Sequence, residues 1–254
     1  MSKKITASVV VIGNEILSGR TQDANIHYLA CELTKLGIQL AEVRVICDDE
    51  FDIIEAVNHC RAKYDYVFTT GGIGSTHDDI TAAAVAKAFG RAFEIHPEAE
   101  RILLNHYKEK ANKTRMRMAW MPNGAELIDN PVSRSPGFKV ENVFVFAGVP
   151  IIAKAMFDNV RASLTGGPVL VVQTISSLDI SEGMIGEHLR DLQDNHPGVD
   201  VGSYPFLKSG GFGVNLVVRG ENKADVDAAC EDIKVIITKA GGTALDQETE
   251  GDEF

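Results

Sequence analysis

The chain has 254 residues, of which 44% are hydrophobic and 24% charged, a balance typical of a globular protein that buries its own core. This length predicts one large domain, or a larger domain followed by a smaller one. The 36 acidic and 25 basic side chains give a formal net charge of -11, and because an acidic surface repels phosphate backbones, general nucleic-acid binding is disfavoured.

The apolar run near the amino terminus, residues 5–12, has the length of a strand. It is too short for the apolar region of a signal peptide followed by a cleavage site, and far too short to span a bilayer. The cysteines at 31, 47, 60 and 230 form no C-x-x-C pair, which favours free thiols in a reducing compartment. We therefore expect a cytoplasmic protein with no membrane partner.

The first two thirds of the chain alternate between strand and helix patterns. Strands are predicted at 7–12, 39–46, 66–70, 126–128 and 143–147, and helices at 25–36, 50–61, 79–89, 97–107 and 149–164. Strands separated by helices predict an α/β fold, a three-layer, parallel-type sheet with helices on both faces. In such sheets ligands bind outside the carboxyl ends of the strands, so the loops that follow the strands are the candidates for a site.

A break at 165–168, Thr-Gly-Gly-Pro, separates a second unit with the order β-α-β-β-α. Its strands are predicted at 169–175, 199–205 and 213–219, and its helices at 181–192 and 223–240. This pattern predicts a small α+β domain over residues 168–245, after a larger domain over 1–167. Residues 246–254 form an acidic tail, which we expect to be a solvated, frayed terminus.

The stretch Thr70-Gly71-Gly72-Ile73-Gly74-Ser75 leaves a predicted strand and precedes a helix. Glycines allow positive φ and bring backbone N–H groups close to a phosphate, although the spacing is neither a P-loop nor the dinucleotide fingerprint. Asp78 and Asp79 follow, and adjacent acids beside a phosphate site indicate a divalent cation. The alternative is a tight turn in which one of these acids caps the helix.

Other candidate segments carry weaker signals. Arg20, after the first strand, is a candidate phosphate ligand or a surface ion pair. Residues 130–138 predict a rigid loop at a site mouth or a plain surface loop. Trp120 and the neighbouring methionines are predicted to pack under a loop. Arg115 and Arg117 interleave with these residues, and the alternative is that they contact an anionic ligand or another subunit. The scattered histidines exclude a zinc spacing, and no Ser-His-Asp order is present.

Several of these stretches together resemble the molybdopterin-binding domain superfamily. The resemblance is carried by Ile12-Gly13-Asn14-Glu15-Ile16-Leu17-Ser18-Gly19, Asn25, Thr69 to Gly74, Asp78 to Thr81, Asn130, Ser135 to Phe138 and Gly148-Val149-Pro150. It spans about residues 5 to 165 and is strongest toward the amino-terminal domain of CinA, the competence/damage-inducible proteins. The same domain is similar to MogA and MoaB of molybdenum cofactor synthesis and to the amino-terminal part of eukaryotic FAD synthases.

The resemblance implies a site and two activities. Catalytic roles would fall to Asp48, Asp78 and Asp79, and a magnesium, manganese or cobalt ion would be held by Asp78, Asp79 and Glu15. The nucleotide or pterin phosphate would be bound by Gly13, Asn14, Glu15, Arg20, Asn25, Thr70, Gly71, Gly72, Gly74, Ser75, Ser135, Gly137 and Gly148. The CinA branch implies a metal-dependent hydrolase of the ADP-ribose pyrophosphatase type, and the cofactor-synthesis branch implies molybdopterin binding without independent turnover.

Further implications concern the second unit and assembly. The second unit resembles the KH-like domain that follows in CinA, notably at Ser181-Glu182 and Tyr204-Pro205, but lacks a basic G-x-x-G loop, so no RNA partner is implied. The deamidase domain of full-length CinA has no counterpart here. A homo-oligomer, dimer or trimer, is implied, and a non-catalytic assembly module is a weaker alternative. Ala147 replaces a proline that the family usually has before Gly148.

Overall fold

A computed structural model describes residues 4–208 and 211–249. The chain divides after Gly167 into two compact units. The first contains β1 (Ile5–Ile12), α1 (Asn14–Leu17), α2 (Asn25–Lys35), β2 (Ile38–Ile46), α3 (Glu50–Lys63), β3 (Tyr66–Thr70), α4 (Thr81–Ala88), β4 (Phe93–Ile95), α5 (Pro97–Tyr107), α6 (Lys113–Met116), β5 (Trp120–Pro122), β6 (Glu126–Ile128), β7 (Gly137–Val140), β8 (Val143–Phe146) and α7 (Pro150–Arg161). Short 3₁₀ turns at Lys108–Lys110 and Arg117–Ala119 flank α6.

The central sheet has the strand order β2-β1-β3-β8-β7-β6. The first four of these strands are mutually parallel, β7 pairs antiparallel with β8, and β6 pairs antiparallel with β7. The predicted α/β fold is therefore confirmed, with a sheet that is mostly rather than wholly parallel. Strands β4 and β5 pair with each other in a separate antiparallel ribbon.

The central strands are apolar on both faces because helices cover both sides of the sheet. Val9 and Val11 of β1 point into one core cluster, and Val10 and Ile12 into the other. Phe68 of β3 stacks on Phe144 of β8 with ring centroids 5.2 Å apart. This packing fixes the strand ends that carry the loops described below.

Strand β7 was not predicted, because residues 130–138 were interpreted as loop throughout. It forms a hairpin with β8 across Glu141 and Asn142, and Glu141 adopts a φ of 53° in that turn. Gly137 opens the strand, and a Cβ there would lie 2.5 Å from the Val145 carbonyl oxygen. The glycine is thus required by sheet packing, which a pattern of turn-forming residues does not reveal.

The second unit contains β9 (Val171–Leu178), α8 (Glu182–Asn195), β10 (Val199–Lys208), β11 (Gly211–Gly220) and α9 (Lys223–Lys239). Its antiparallel sheet has the order β10-β11-β9, and side chains from both helices and all three strands form a core of their own. This agrees with the predicted β-α-β-β-α order, while a KH-like relationship stays a prediction.

The acidic tail differs from the expectation of a frayed terminus over the residues that the structure describes. Leu245, the residue just before the tail, pairs with Ser176 of β9, and within the tail the Thr249 backbone N–H donates to Asn215 Oδ1 at 3.0 Å. Asn215 Nδ2 in turn donates to the Thr249 carbonyl at 3.0 Å, and Asp246 pairs with Lys234 at 2.8 Å. Backbone pairing and this ion pair hold the segment, and residues 250–254 lie outside the described part.

Across 4–208 and 211–249, none of the helices combines the length and the apolar composition that crossing a bilayer requires.

Candidate functional site

The glycine loop, residues 70–76, begins where three strand ends meet. The Gly71 N–H donates to the Phe146 carbonyl at the end of β8, at 3.1 Å. Gly71 has a φ of 108°, and a Cβ there would lie 2.0 Å from the Ile12 carbonyl at the end of β1. A Cβ on Gly148 would lie 3.3 Å from the Gly71 Cα. Glycine is therefore needed at position 71, because three backbones approach too closely for a side chain.

Buried polar atoms lie beside this junction. Asn25, 3% exposed, donates from Nδ2 to the Gly148 carbonyl at 2.8 Å. Its Oδ1, together with the hydroxyls of Thr70 and Thr81, is buried and has no hydrogen-bond partner among the described residues. Buried polar atoms are nearly always hydrogen-bonded. These three atoms therefore mark the strand ends as a place prepared for a further polar partner.

Asp79 is bound within the glycine loop. Its Oδ1 accepts from the Gly74 N–H at 2.6 Å, and its Oδ2 accepts from the Thr76 N–H at 2.7 Å and the Thr76 hydroxyl at 2.5 Å. Helix α4 begins two residues later than predicted, with Ile80 as its N-cap and no side-chain capping bond. The alternative of a helix cap by Asp78 or Asp79 is therefore wrong, because Asp79 satisfies loop donors rather than helix donors.

Asp78 is the exposed member of the pair, with 61% of its side chain accessible. The pKa of its carboxyl is lowered, with the neighbouring Thr76 as the largest cause. Because the single proton of the Thr76 hydroxyl is donated to Asp79 at 2.5 Å, we attribute the ionised state of Asp78 to its exposure to water. His77 Nδ1 lies 4.0 Å from Asp78 Oδ1 and adds a weaker attraction. Asp78 thus presents an ionised carboxylate to solvent beside the loop.

Asp48 and Glu15 occupy the ends of β2 and β1, and neither joins Asp78. Asp48 Oδ2 accepts from the Asn14 N–H at 2.9 Å, so it fixes the turn after β1. The Glu15 carboxylate folds over Gly13, within 2.6 Å of where a Cβ would stand. In the part of the chain that the structure describes, no three His, Cys, Asp or Glu side chains are grouped to hold a metal. The predicted set of Asp78, Asp79 and Glu15 is therefore not gathered as one cluster.

A divalent cation still fits the pair of aspartates. Magnesium is commonly held by one or two carboxylates together with substrate phosphates and waters, rather than by a complete protein cage. Asp78 and the one acceptor position that Asp79 leaves unused on Oδ1 would supply carboxylate oxygens for such an ion beside the glycine loop.

The loop at 130–136 is built around Asn130, which is 1% exposed. Its Nδ2 donates to Ser133 Oγ at 2.6 Å and to the Ser135 carbonyl at 2.7 Å, while its Oδ1 accepts from the Val132 and Ser133 N–H groups at 3.1 Å. These bonds hold Arg134 at a φ of 63°, a conformation rare for a residue with a side chain. The loop therefore places an exposed arginine in one defined conformation.

A pocket of about 240 Å³ adjoins the glycine loop. Gly72, Gly74 and Asp79 line it together with Phe93, Arg117 and Trp120. The Phe93 and Trp120 rings have centroids 5.6 Å apart and are each 39% exposed. Trp120 thus packs against Phe93 but keeps part of its surface exposed, while Met121, on the opposite face of β5, is buried at 2% exposure. Met116 and Met118 pack against the core as predicted.

The side chains of three arginines near these loops have no ion pair or hydrogen bond within the described residues: Arg20, Arg117 and Arg134. Arg115, by contrast, donates to the Lys110 carbonyl and lies over the Tyr107 ring. Unpaired guanidinium groups in a chain with a net charge of -11 are available to an anionic ligand. The structure thus favours Arg117 over Arg115 as an anion contact.

The family follows from comparison with known proteins. Residues 8–165 match a family model described as a probable molybdopterin binding domain, and residues 171–241 match the middle domain of FAD synthase. The chain belongs to the molybdopterin-binding-domain family. The predicted resemblance is confirmed in both its MoaB/MogA-like and CinA-like aspects, since a crystal structure of CinA from Thermoplasma acidophilum, of unknown function, is 31% identical with a TM-score of 0.60. It covers 63% of this chain and 99% of that one.

Two curated relatives match this chain over both of its units. A protein of Aeropyrum pernix is 30% identical across 98% of this chain and 100% of its own length. A probable FAD synthase of Caenorhabditis elegans is 30% identical across 93% of this chain but only 51% of its own length. The chain therefore spans about half of that relative.

Proposed function

We propose that this CinA-like protein is a metal-dependent hydrolase of nucleoside diphosphates such as ADP-ribose. The observation that carries the proposal is the exposed carboxylate of Asp78 beside a loop whose Gly74 and Thr76 N–H groups bind the Asp79 carboxylate. A diphosphate needs the same backbone donors, and an acid next to it needs a cation. Both requirements meet at one strand end.

Different residues of this chain would bind the cation, orient one phosphate and neutralise the other. Asp78 and Asp79 would hold the cation, which when bound offsets phosphate charge and lowers the pKa of an attacking water. The N–H groups between Gly72 and Ser75 would orient one phosphate. Arg117 or Arg134, both without partners among the described residues, would neutralise the other phosphate. Asp48 would act indirectly, because it fixes the turn at Asn14 rather than facing the loop.

A hydrolysis panel tests this proposal. ADP-ribose and FAD would be incubated with the protein and magnesium, manganese or cobalt, and the released mononucleotides quantified. FAD is included because relatives spanning both units are named probable FAD synthases. We expect turnover in the wild type and a loss of at least a hundredfold in Asp78→Asn. Intact substrates with every metal would refute the proposal.

A second candidate is a molybdopterin-binding protein without turnover, and the family match over residues 8–165 favours it. The same loop N–H groups would hold the pterin phosphate. We expect molybdopterin to bind the wild type and not Gly72→Asp, because an acid there would meet both the phosphate and Thr81 Oγ1, which lies 2.1 Å from the Cβ position. Equal binding by both proteins would exclude this candidate.

Assembly remains part of the proposal. The family resemblance implies a homo-oligomer, and light scattering would distinguish a dimer from a trimer. A purely non-catalytic assembly module would be excluded if Asp78→Asn abolished turnover while the oligomer and the thermal unfolding transition stayed unchanged.

A further inference from the structure

The pocket beside the glycine loop has an aromatic wall that no phosphate requires. Phe93 and Trp120 lie on the same face of the β4–β5 ribbon, since Ile95 pairs with Trp120 and Phe93 pairs with Pro122. Their planes are inclined by 45°, so each ring leaves part of its surface uncovered. Exposed aromatic surface of this kind is costly in water unless a ligand or partner uses it.

The dimensions of the pocket limit what it holds. Its volume of about 240 Å³ falls below the ~300–1,000 Å³ of sites that enclose a drug-sized ligand. It therefore accepts one planar ring system rather than a whole dinucleotide. The inner wall is apolar, formed by Ile80, Ala82 and the buried ring of Phe138, which suits a ring entering by its edge and stacking by its face.

The charges around the pocket indicate what is attached to the ring. Gly72, Gly74 and Asp79 line the same pocket, and the Gly74 N–H is donated to Asp79, so an anion carried by a ring inside it would compete with that carboxylate for the loop donors. Arg117 lines it as well, and carries a positive charge with no partner among the described residues. A neutral ring linked to a phosphate matches this arrangement, because it places its apolar part on the aromatic wall and its anion at the loop.

We propose that Trp120 and Phe93 form a ring subsite for a planar, nitrogen-containing bicyclic ring that carries a phosphate, with Arg117 contacting the phosphate. This deepens the proposed function and rests on it for the assignment of the ring as a purine base. Adenine in a nucleotide and the pterin of a cofactor precursor share the required chemistry. Stacking on Trp120 then selects among phosphate ligands, which the glycine loop alone does not distinguish.

The chain offers its own reporter, because Trp120 is its single tryptophan. AMP, added without metal and in the presence of EDTA, is expected to change Trp120 fluorescence in a saturable way, whereas ribose 5-phosphate is not. By calorimetry, Trp120→Ala should weaken AMP binding roughly tenfold or more, in line with base stacking on aromatic side chains. The affinity of Trp120→Ala for ribose 5-phosphate should stay within twofold of the wild-type affinity.

Matched variants keep the result interpretable. Trp120→Phe retains a stacking surface and should recover most of the AMP affinity, which a folding defect would not allow. Arg117→Gln should weaken AMP and ribose 5-phosphate alike. Phe51→Ala serves as the control, since Phe51 is 75% exposed on α3 and does not line the pocket.

Neopterin phosphate forms the other arm of the test. If binding of neopterin phosphate depends on Trp120 and binding of AMP does not, the ring is a pterin. That result would support the ring subsite and count against the hydrolase proposal, which needs an adenine nucleotide. If AMP binds through Trp120 but the metal panel shows no turnover, only the hydrolase proposal fails. Unchanged affinity of both ring compounds in Trp120→Ala would overturn the subsite.

Discussion

The Asp79 carboxylate receives the Gly74 N–H at 2.6 Å, so an acid of the chain occupies the donors that a phosphate would use. A carboxylate and a phosphate are both acceptors at neutral pH, and the loop cannot satisfy both with the same protons. Binding of an anion at this loop, as proposed, would therefore be an exchange in which the anion takes over donors from Asp79.

This exchange predicts opposite effects of Asp79→Asn on binding and turnover. In EDTA, removal of the charge should tighten ADP binding severalfold, because the tethered competitor is weakened. With metal, hydrolysis should fall. Asp78→Asn is the matched control, since Asp78 holds neither the Gly74 nor the Thr76 N–H, and its metal-free ADP affinity should change less than twofold. Identical changes in the two variants, measured by calorimetry, would contradict the exchange.

Gly71→Ala should destabilise the first unit more than a positive φ alone explains. The added Cβ would lie 2.0 Å from the Ile12 carbonyl, against backbone that cannot move without separating the strand ends. We expect a loss of more than about 2 kcal/mol in the free energy of unfolding by urea. Gly90→Ala is the control, because Gly90 also has positive φ but nothing lies within 4 Å of its Cβ position. Equal losses would show that only conformational strain matters.

Asn130→Ala should loosen the loop that presents Arg134. Four hydrogen bonds are removed from a buried side chain, and unfolding free energy should fall by about 2–3 kcal/mol. Asn130→Asp keeps the acceptor for Val132 and Ser133 but loses both donors, so it should give an intermediate loss. If neither variant changes stability, the loop does not depend on Asn130.

Glu42 should support stability at neutral but not at strongly acidic pH. It accepts from Arg44 Nε at 2.6 Å, from Lys63 Nζ at 3.1 Å and from the Tyr64 hydroxyl. The Tyr64 bond is the largest cause that lowers the pKa of Glu42 from 4.5 to about 2.

Because the folded state holds the lower pKa, this stabilisation is complete above about pH 5 and is lost as the pH falls from 4.5 toward 2. Glu42→Gln should lower the free energy of unfolding by about 1–3 kcal/mol at pH 7. Between pH 5 and pH 2 the variant should lose less stability than the wild type does. The exposed Glu126→Gln is the control. Parallel pH profiles for the wild type and Glu42→Gln would contradict the assignment.

The buried strands of the first unit were predictable because their signal is continuous. Residues 7–12 and 66–70 are almost wholly apolar or β-branched, and the structure places β1 and β3 there. The start of α4 was not predictable in the same way. Asp79 has the composition of a helix cap, and only the loop donors at Gly74 and Thr76 redirect it.

The ring subsite was missed for a different reason. β4 and β5 have three residues each, and pairing with each other, rather than local propensity, forms them. Once β5 is known, the alternation of side chains along a strand separates Trp120 from the buried Met121. The one feature of the sequence that could have suggested the ring subsite is Trp120, an aromatic residue three positions after Arg117 in an acidic chain.

The contact between Asp79 and the loop would also make the proposed site selective among anions. Inorganic phosphate would gain only the loop contacts, and it would compete with a carboxylate present at a high effective concentration because it is tethered. A larger ligand would gain stacking and a second charge contact in addition, and so would displace the carboxylate. The loop would then reject small anions without any steric barrier.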